Sequence, residues 1–133
     1  MNSARTAAGI TGRTQVYGVL ADPIYHVKAP EVMGALFARH GVDAVLVPLH
    51  VTADGLAAVM DGLRHLRNFG GFIATVPHKT TTAGLCDALT REAEQIGAVN
   101  CVRREADGRM VGTMLDGIGF VEALRASGLE PHG

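Results

Sequence analysis

Short apolar runs alternate with longer amphipathic stretches along this chain. TQVYGVLA, from Thr14 to Ala21, reads as a first strand, and DPIYH around Pro23 as a turn. Pro30 suits the first turn of a helix. PEVMGALFARHG then places Val32, Leu36 and Phe37 at helical spacing, with Gly41 as the C-terminal stop. DAVLVPLHV is β-rich and apolar throughout, the pattern of a strand covered on both faces. Thr52 stands where it can cap ADGLAAVMDGLRHLR, whose Leu56, Val59, Met60 and Leu63 share one side. GGFIATV is a third strand, and a short helix is expected near Thr81–Ala88, after the turn at Pro77–Lys79. TREAEQIG carries Thr90 and Glu94 in a capping-type arrangement. AVNCVRRE and GRMVGTML are strand-like and joined by ADG, a hairpin signal. DGIGFVEALRAS opens on an Asp in an N-cap-like position and reads as a helix.

Strand–helix alternation followed by a hairpin predicts an α/β fold, a sandwich around a mostly parallel sheet with one antiparallel strand. Ligands of such sheets bind outside the carboxyl ends of the strands. Three stretches fall there: DPIYH, TVPHK and TMLD.

Composition narrows the function classes. A chain of 133 residues suits one domain. Hydrophobic residues at 47% and charged residues at 19% are a globular balance. A formal net charge of -1 gives no pull toward nucleic acid or an anionic membrane, and aromatic residues at 5% leave little for base stacking. No apolar run approaches the roughly 20 residues that span a bilayer. The opening MNSARTAAGITGR lacks an apolar signal core, so residues 1–13 are expected to form a flexible tail and 14–133 the domain. Cys86 and Cys101 form no C-x-x-C, and two lone thiols fit a cytoplasmic protein. None of the six histidines has metal-ligand spacing.

Lys79 ends an apolar run where a helix is about to begin. It is either a solvated helix-end charge or a proton donor aimed into a cleft. Asp116 heads the last helix in an N-cap-like position. Asn100 reads as a turn residue, and His26 as a solvated loop residue or a pocket wall.

The order G-x-x-x-DPI-x-H, F-x-x-T-x-PHK, E-x-x-x-IGAVN and G-x-x-x-DGIGF resembles the substrate-binding domain of shikimate dehydrogenase, over about Val16 to Gly128. The resemblance implies a mixed, six-stranded sheet with helices on both faces, a three-layer sandwich. It implies an NADP-dependent oxidoreductase that interconverts a hydroxyl and a ketone on shikimate or a related cyclic alcohol. Lys79 is then the catalytic lysine and Asp116 its partner, with Thr75 and Asn100 in the substrate pocket. A lysine ammonium can give the proton that a nascent alkoxide needs and take it back in the other direction. His78 is more structural than basic on this view. G-x-G-x-x-G is missing, so the NADP-binding half is expected to be absent from this chain.

The departures from the family pattern are apolar. HVKAP replaces the usual H-S-x-S-P, so Val27 and Ala29 stand where two serines grip a substrate carboxylate. Ile73 replaces an Asn, Met114 and Leu115 replace Asn and Thr, and Cys101 stands where Thr is common. Each lost hydrogen bond to an anion is worth about 1.5–3 kcal/mol, so shikimate itself is expected to bind weakly. Lys28 offers a replacement cation. The expected partner is a small polyol or hydroxy acid. Apolar surface left by a missing cofactor half would favour a homodimer. The competing reading is a stand-alone, non-catalytic binding or regulatory module of the same fold.

Overall fold

The computed structural model describes residues 9–115. Ten elements follow one another: β1 (Gln15–Ala21), α1 (Ala29–Arg39), β2 (Ala44–His50), α2 (Leu56–Leu63), β3 (Phe69–Ala74), α3 (Lys79–Leu85), β4 (Ala88–Leu89), α4 (Arg91–Ile96), β5 (Cys101–Arg104) and β6 (Met110–Thr113). The strands form one six-stranded sheet in the order β2-β1-β3-β5-β6-β4. β2, β1 and β3 pair in parallel, β5 pairs antiparallel with both β3 and β6, and β4 is parallel to β6. A single reversed strand in a mixed sheet is the arrangement expected from the pattern.

Alternation across the sheet splits the core into two layers. Val19 joins Met33, Phe37, Ala44 and Leu46 under α1. Its neighbour Leu20 points the other way, into Leu56, Met60, Phe72, Val99 and Met110 under α2, α3 and α4. Leu20, Leu56 and Met60 are essentially inaccessible to solvent, and each such side chain contributes about 1.5–3 kcal/mol by its burial. β1 lies between β2 and β3, which is why VLA is apolar without a break.

β3 needs its paired glycines. The ring of Tyr17, stacked on Phe37 with centroids 5.8 Å apart, would lie 2.5 Å from a Cβ at Gly70. At Gly71 the backbone has φ +149°, and a Cβ would meet the carbonyl oxygen of Val102 at 2.2 Å. The register of β1 against β3 shifts at this point, between Val16 and Tyr17.

Several local expectations are corrected. β2 is an edge strand among the described residues; Ala44 and Leu46 pack into one core layer and Leu49 against the other, so both faces are covered, but only in part. Thr52 does not cap α2. Its hydroxyl accepts from the Gly55 N–H at 3.0 Å, closing a turn, and the helix starts after Gly55. α2 also ends at Leu63, short of Arg67, and the Arg64 carbonyl is taken by the Arg104 guanidinium at 2.8 Å. α3 starts at Lys79 itself, two residues before the expected Thr81. Thr90 caps α4 through the Ala93 N–H, but Glu94 falls one position beyond the reciprocal capping place. The two-residue β4 was not anticipated. Residues 11–14 close a turn in which the Thr11 N–H donates to Thr14 Oγ1 at 2.9 Å. Residues 1–8 and the expected helix from Asp116 lie outside the described residues.

Candidate functional site

β1, β3 and β6 run in one direction, so Ala21, Ala74 and Thr113 all end at one edge of the sheet. β5 runs the other way, which brings its start, Asn100–Cys101, to that same edge. Backbone hydrogen bonds stitch these ends together. Thr75 N–H donates to the Leu20 carbonyl at 3.1 Å, Asp22 N–H to Val76 at 3.2 Å, Ala74 N–H to Asn100 at 3.0 Å and Asn100 N–H to Thr113 at 3.0 Å.

Lys79 is the first residue of α3 and is partly buried. Its backbone is held from two sides. Its carbonyl accepts from the Val99 N–H at 3.0 Å, and the preceding His78 N–H donates to Thr75 at 2.8 Å. His78 is 1% exposed, with Nε2 2.7 Å from the Val51 carbonyl oxygen. A carbonyl only accepts, so Nε2 carries the proton. That bond ties the exit of β2 to the start of α3, so His78 braces the lysine-bearing turn.

Asn100 uses its amide on the neighbouring strand end. Oδ1 accepts from the Leu115 N–H at 2.8 Å, and Nδ2 donates to the Leu115 carbonyl. One donor and one lone pair remain for another partner. This fixes the residue immediately before Asp116, while Asp116 itself lies outside the described residues.

Val27, Ala29 and Ile73, like Ile24, each pack against the layer of Val19, Met33 and Phe37. The three apolar replacements thus form an apolar wall only in the sense that all border this one core layer. Thr75, two residues beyond Ile73, continues the same face of β3. Met114 follows β6, partly buried, and Lys28 and His26 are exposed in the loop after β1. Cys101 pairs with Ile73 across the β3–β5 ladder. Burial pushes its thiol up to about 11, with Arg103 opposing, so at neutral pH it offers neither an anion nor a thiolate nucleophile. Among the described residues no group of three His, Cys, Asp or Glu side chains is placed to hold a metal ion, and no helix is long and apolar enough to cross a membrane.

One cluster at this edge was passed over in the sequence. His50 Nε2 lies 2.8 Å from Asp22 Oδ1, and the ring of Tyr25 meets the imidazole edge-on at 5.3 Å between centroids. The pair is 28 residues apart, and only the alignment of Ala21 with His50 across β1 and β2 brings them together.

A family model described as the shikimate dehydrogenase substrate binding domain matches residues 19–102. The NADP(+) shikimate dehydrogenase of Rhodospirillum rubrum is 42% identical over 116 residues, 87% of this chain and 41% of that protein. The structure of a shikimate 5-dehydrogenase from Listeria monocytogenes in complex with shikimate and NAD superposes with a TM-score of 0.76 at 36% identity, over 91% of this chain and 41% of that one. A ligand-free 5-ketofructose reductase of Gluconobacter sp. strain CHM43 does so with a TM-score of 0.76 at 29% identity, over 87% and 41%. The chain thus spans about two fifths of the length of the curated relatives it matches.

Proposed function

Because this chain belongs to the shikimate dehydrogenase family as a substrate-binding domain, we propose that it seats a cyclic polyhydroxy substrate at the carboxyl edge of its sheet. Lys79 moves the proton as a ring hydroxyl and a ketone interconvert. The observation that carries this reading is the placement of Lys79. A partly buried lysine opens α3 at the edge where Thr75, Asn100 and the apolar wall meet, and its backbone is fixed on both sides.

Oxidation of a carbinol removes a hydride from carbon and a proton from oxygen. A neutral Lys79 amine takes that proton, and in reduction the ammonium returns it to the alkoxide. Asp116 is its proposed partner, orienting the ammonium or the substrate hydroxyl. Thr75 and the remaining donor and lone pair of Asn100 meet the other ring hydroxyls. The hydride acceptor is the nicotinamide of NADP, the cofactor in the curated relatives' names. Among the described residues no strand-to-helix turn carries the closely spaced glycines that a pyrophosphate needs. The cofactor therefore falls to the part of such relatives that this chain does not span.

Shikimate is the ligand in one related structure, and 5-ketofructose names the substrate of another related enzyme. The wall of Val27, Ala29 and Ile73 favours a substrate held by its hydroxyls over one gripped by its carboxylate. On this reading residues 14–133 are the substrate-binding domain of a cytoplasmic enzyme, with a homodimer as its assembly.

Two measurements test the proposal. A true ligand raises the melting temperature of the chain, and at a concentration of 100 Kd adds about 2.7 kcal/mol of stability; shikimate, dehydroshikimate and quinate are the probes. In a protein carrying both this domain and an NADP-binding half, Lys79→Met lowers kcat by about 10²–10⁴ and leaves KM within a few-fold. Unchanged kcat removes Lys79 from the chemistry. Thermal shifts without turnover in the unsubstituted protein identify a binding module instead.

A further inference from the structure

We propose that His50, held by Asp22, is a specificity-determining residue of this site. Its Nδ1, without a partner among the described residues, accepts a hydrogen bond from a hydroxyl of an uncharged polyhydroxy ring. The proposal rests on the substrate-binding reading above and adds a recognition group to it.

Side-chain parity places His50 on the site's face of the sheet. Ala44 and Leu46 pack into the layer under α1, so His50, at even spacing from them on β2, points to that side. Val19 and Ile73 belong to the same layer, which puts Ala21 and Thr75 on the same face of β1 and β3. His50 is level with Ala21 in the β1–β2 register, and Val51, the next residue, carries the carbonyl that holds His78 beside Lys79. β2 and β3 flank β1. At the usual strand spacing His50 and Thr75 are therefore about 10 Å apart across the sheet. That span suits one substituted six-membered ring lying across the end of β1.

The chemistry of the pair decides what His50 can recognise. A carboxylate only accepts, so the imidazole nitrogen facing Asp22, Nε2, bears the proton. Nδ1 of the neutral ring is then an acceptor, and among the described residues it has no partner. The edge-on contact with Tyr25 restricts the ring further. His50 and Asp22 are 39% and 37% exposed, open enough to be reached from solution. An acceptor nitrogen beside a carboxylate repels a substrate carboxylate and welcomes a hydroxyl. The positions that bear the carboxylate-gripping serines in the resembling pattern are here Val27 and Ala29, inside the apolar wall. The two serine hydroxyls that grip an anion in the family pattern are thus missing, with only the exposed Lys28 between their positions, and a hydroxyl acceptor is present two strands from Thr75.

The experiment compares shikimate with its methyl ester, which keeps the ring hydroxyls and loses the charge, by calorimetric titration of the chain. The expected result is that the ester binds at least as tightly as the acid. His50→Leu weakens ester binding about five- to tenfold, the worth of one neutral hydrogen bond, and His50→Gln, whose side-chain oxygen can accept, recovers most of the loss. Asp22→Asn raises the affinity of the acid toward that of the ester and leaves the ester unchanged. Melting curves of each variant confirm that the fold is kept. Tighter binding of the acid than of the ester overturns the proposal, as does unchanged ester affinity in both His50 variants. Wild-type chain that binds neither probe sinks the substrate-binding reading and this proposal together; wild type and His50→Leu binding the ester equally sinks His50 alone.

Discussion

Burial holds both thiols of this chain protonated. Cys86 and Cys101 are each pushed up to about 11, chiefly by desolvation, with Arg64 and Arg103 pulling the other way and Asp87 adding to the rise at Cys86. In the unfolded chain a thiol ionises nearer 9. The stability these groups contribute is therefore complete below about 9 and is lost as pH rises through about 11. Melting temperatures between pH 8 and 11 are expected to fall more steeply for the wild type than for Cys86→Ala/Cys101→Ala; parallel curves contradict this origin. Iodoacetamide at pH 8 should alkylate the native chain far more slowly than a cysteine peptide. Single residues were unevenly legible in the sequence. Lys79 stood out because a strand end and a helix start meet at it, whereas Asn100 was legible only through the IGAVN stretch that carries the family resemblance. The second use of Asn100, clasping Leu115, was not visible, since it depends on two strand ends arriving side by side. The Asp22–His50 pair was hidden for the same reason.

Local geometry decides the outcome at two glycines within these elements. Gly34 is an exposed position inside α1, and a Cβ there meets nothing within 4 Å. Gly34→Ala should stabilise by about 0.5–1 kcal/mol, because glycine loses more freedom on entering a helix. Gly71→Ala should instead cost more than about 2 kcal/mol, since β3 has positive φ there and the Val102 backbone blocks the new methyl group. Urea unfolding of the two variants checks both signs, and Gly71→Ala at wild-type stability would mean that β3 and β5 can separate there cheaply. Element types followed from periodicity because each apolar stripe is buried against a neighbouring layer. Boundaries did not, because turns such as Thr52–Gly55 spend a capping-type hydroxyl before the helix begins. β4 has two residues, too few for any alternation to register.

Across the whole molecule, the edge position of β2 went unread, and Pro48 within it was the available clue. Gln15 N–H reaches the Asp43 carbonyl and Val51 N–H the Ala21 carbonyl, so the odd-numbered residues of this stretch face β1. Pro48 thus sits at an outward-facing position and removes a donor from the open side of the sheet. Pro48→Thr should restore that donor, leave the fold intact and increase self-association in sedimentation velocity runs; a variant as dispersed as the wild type would assign edge protection elsewhere. β5 and β6 have a further practical consequence. Their connecting turn, residues 105–109, closes the hairpin at the end of the sheet opposite Asn100, and Ala106 is exposed on it. With both native thiols reluctant to react, Ala106→Cys provides a single chemical handle there. Tethered to a sensor chip by that handle, the molecule would turn the edge proposed for its substrate toward the flowing solution.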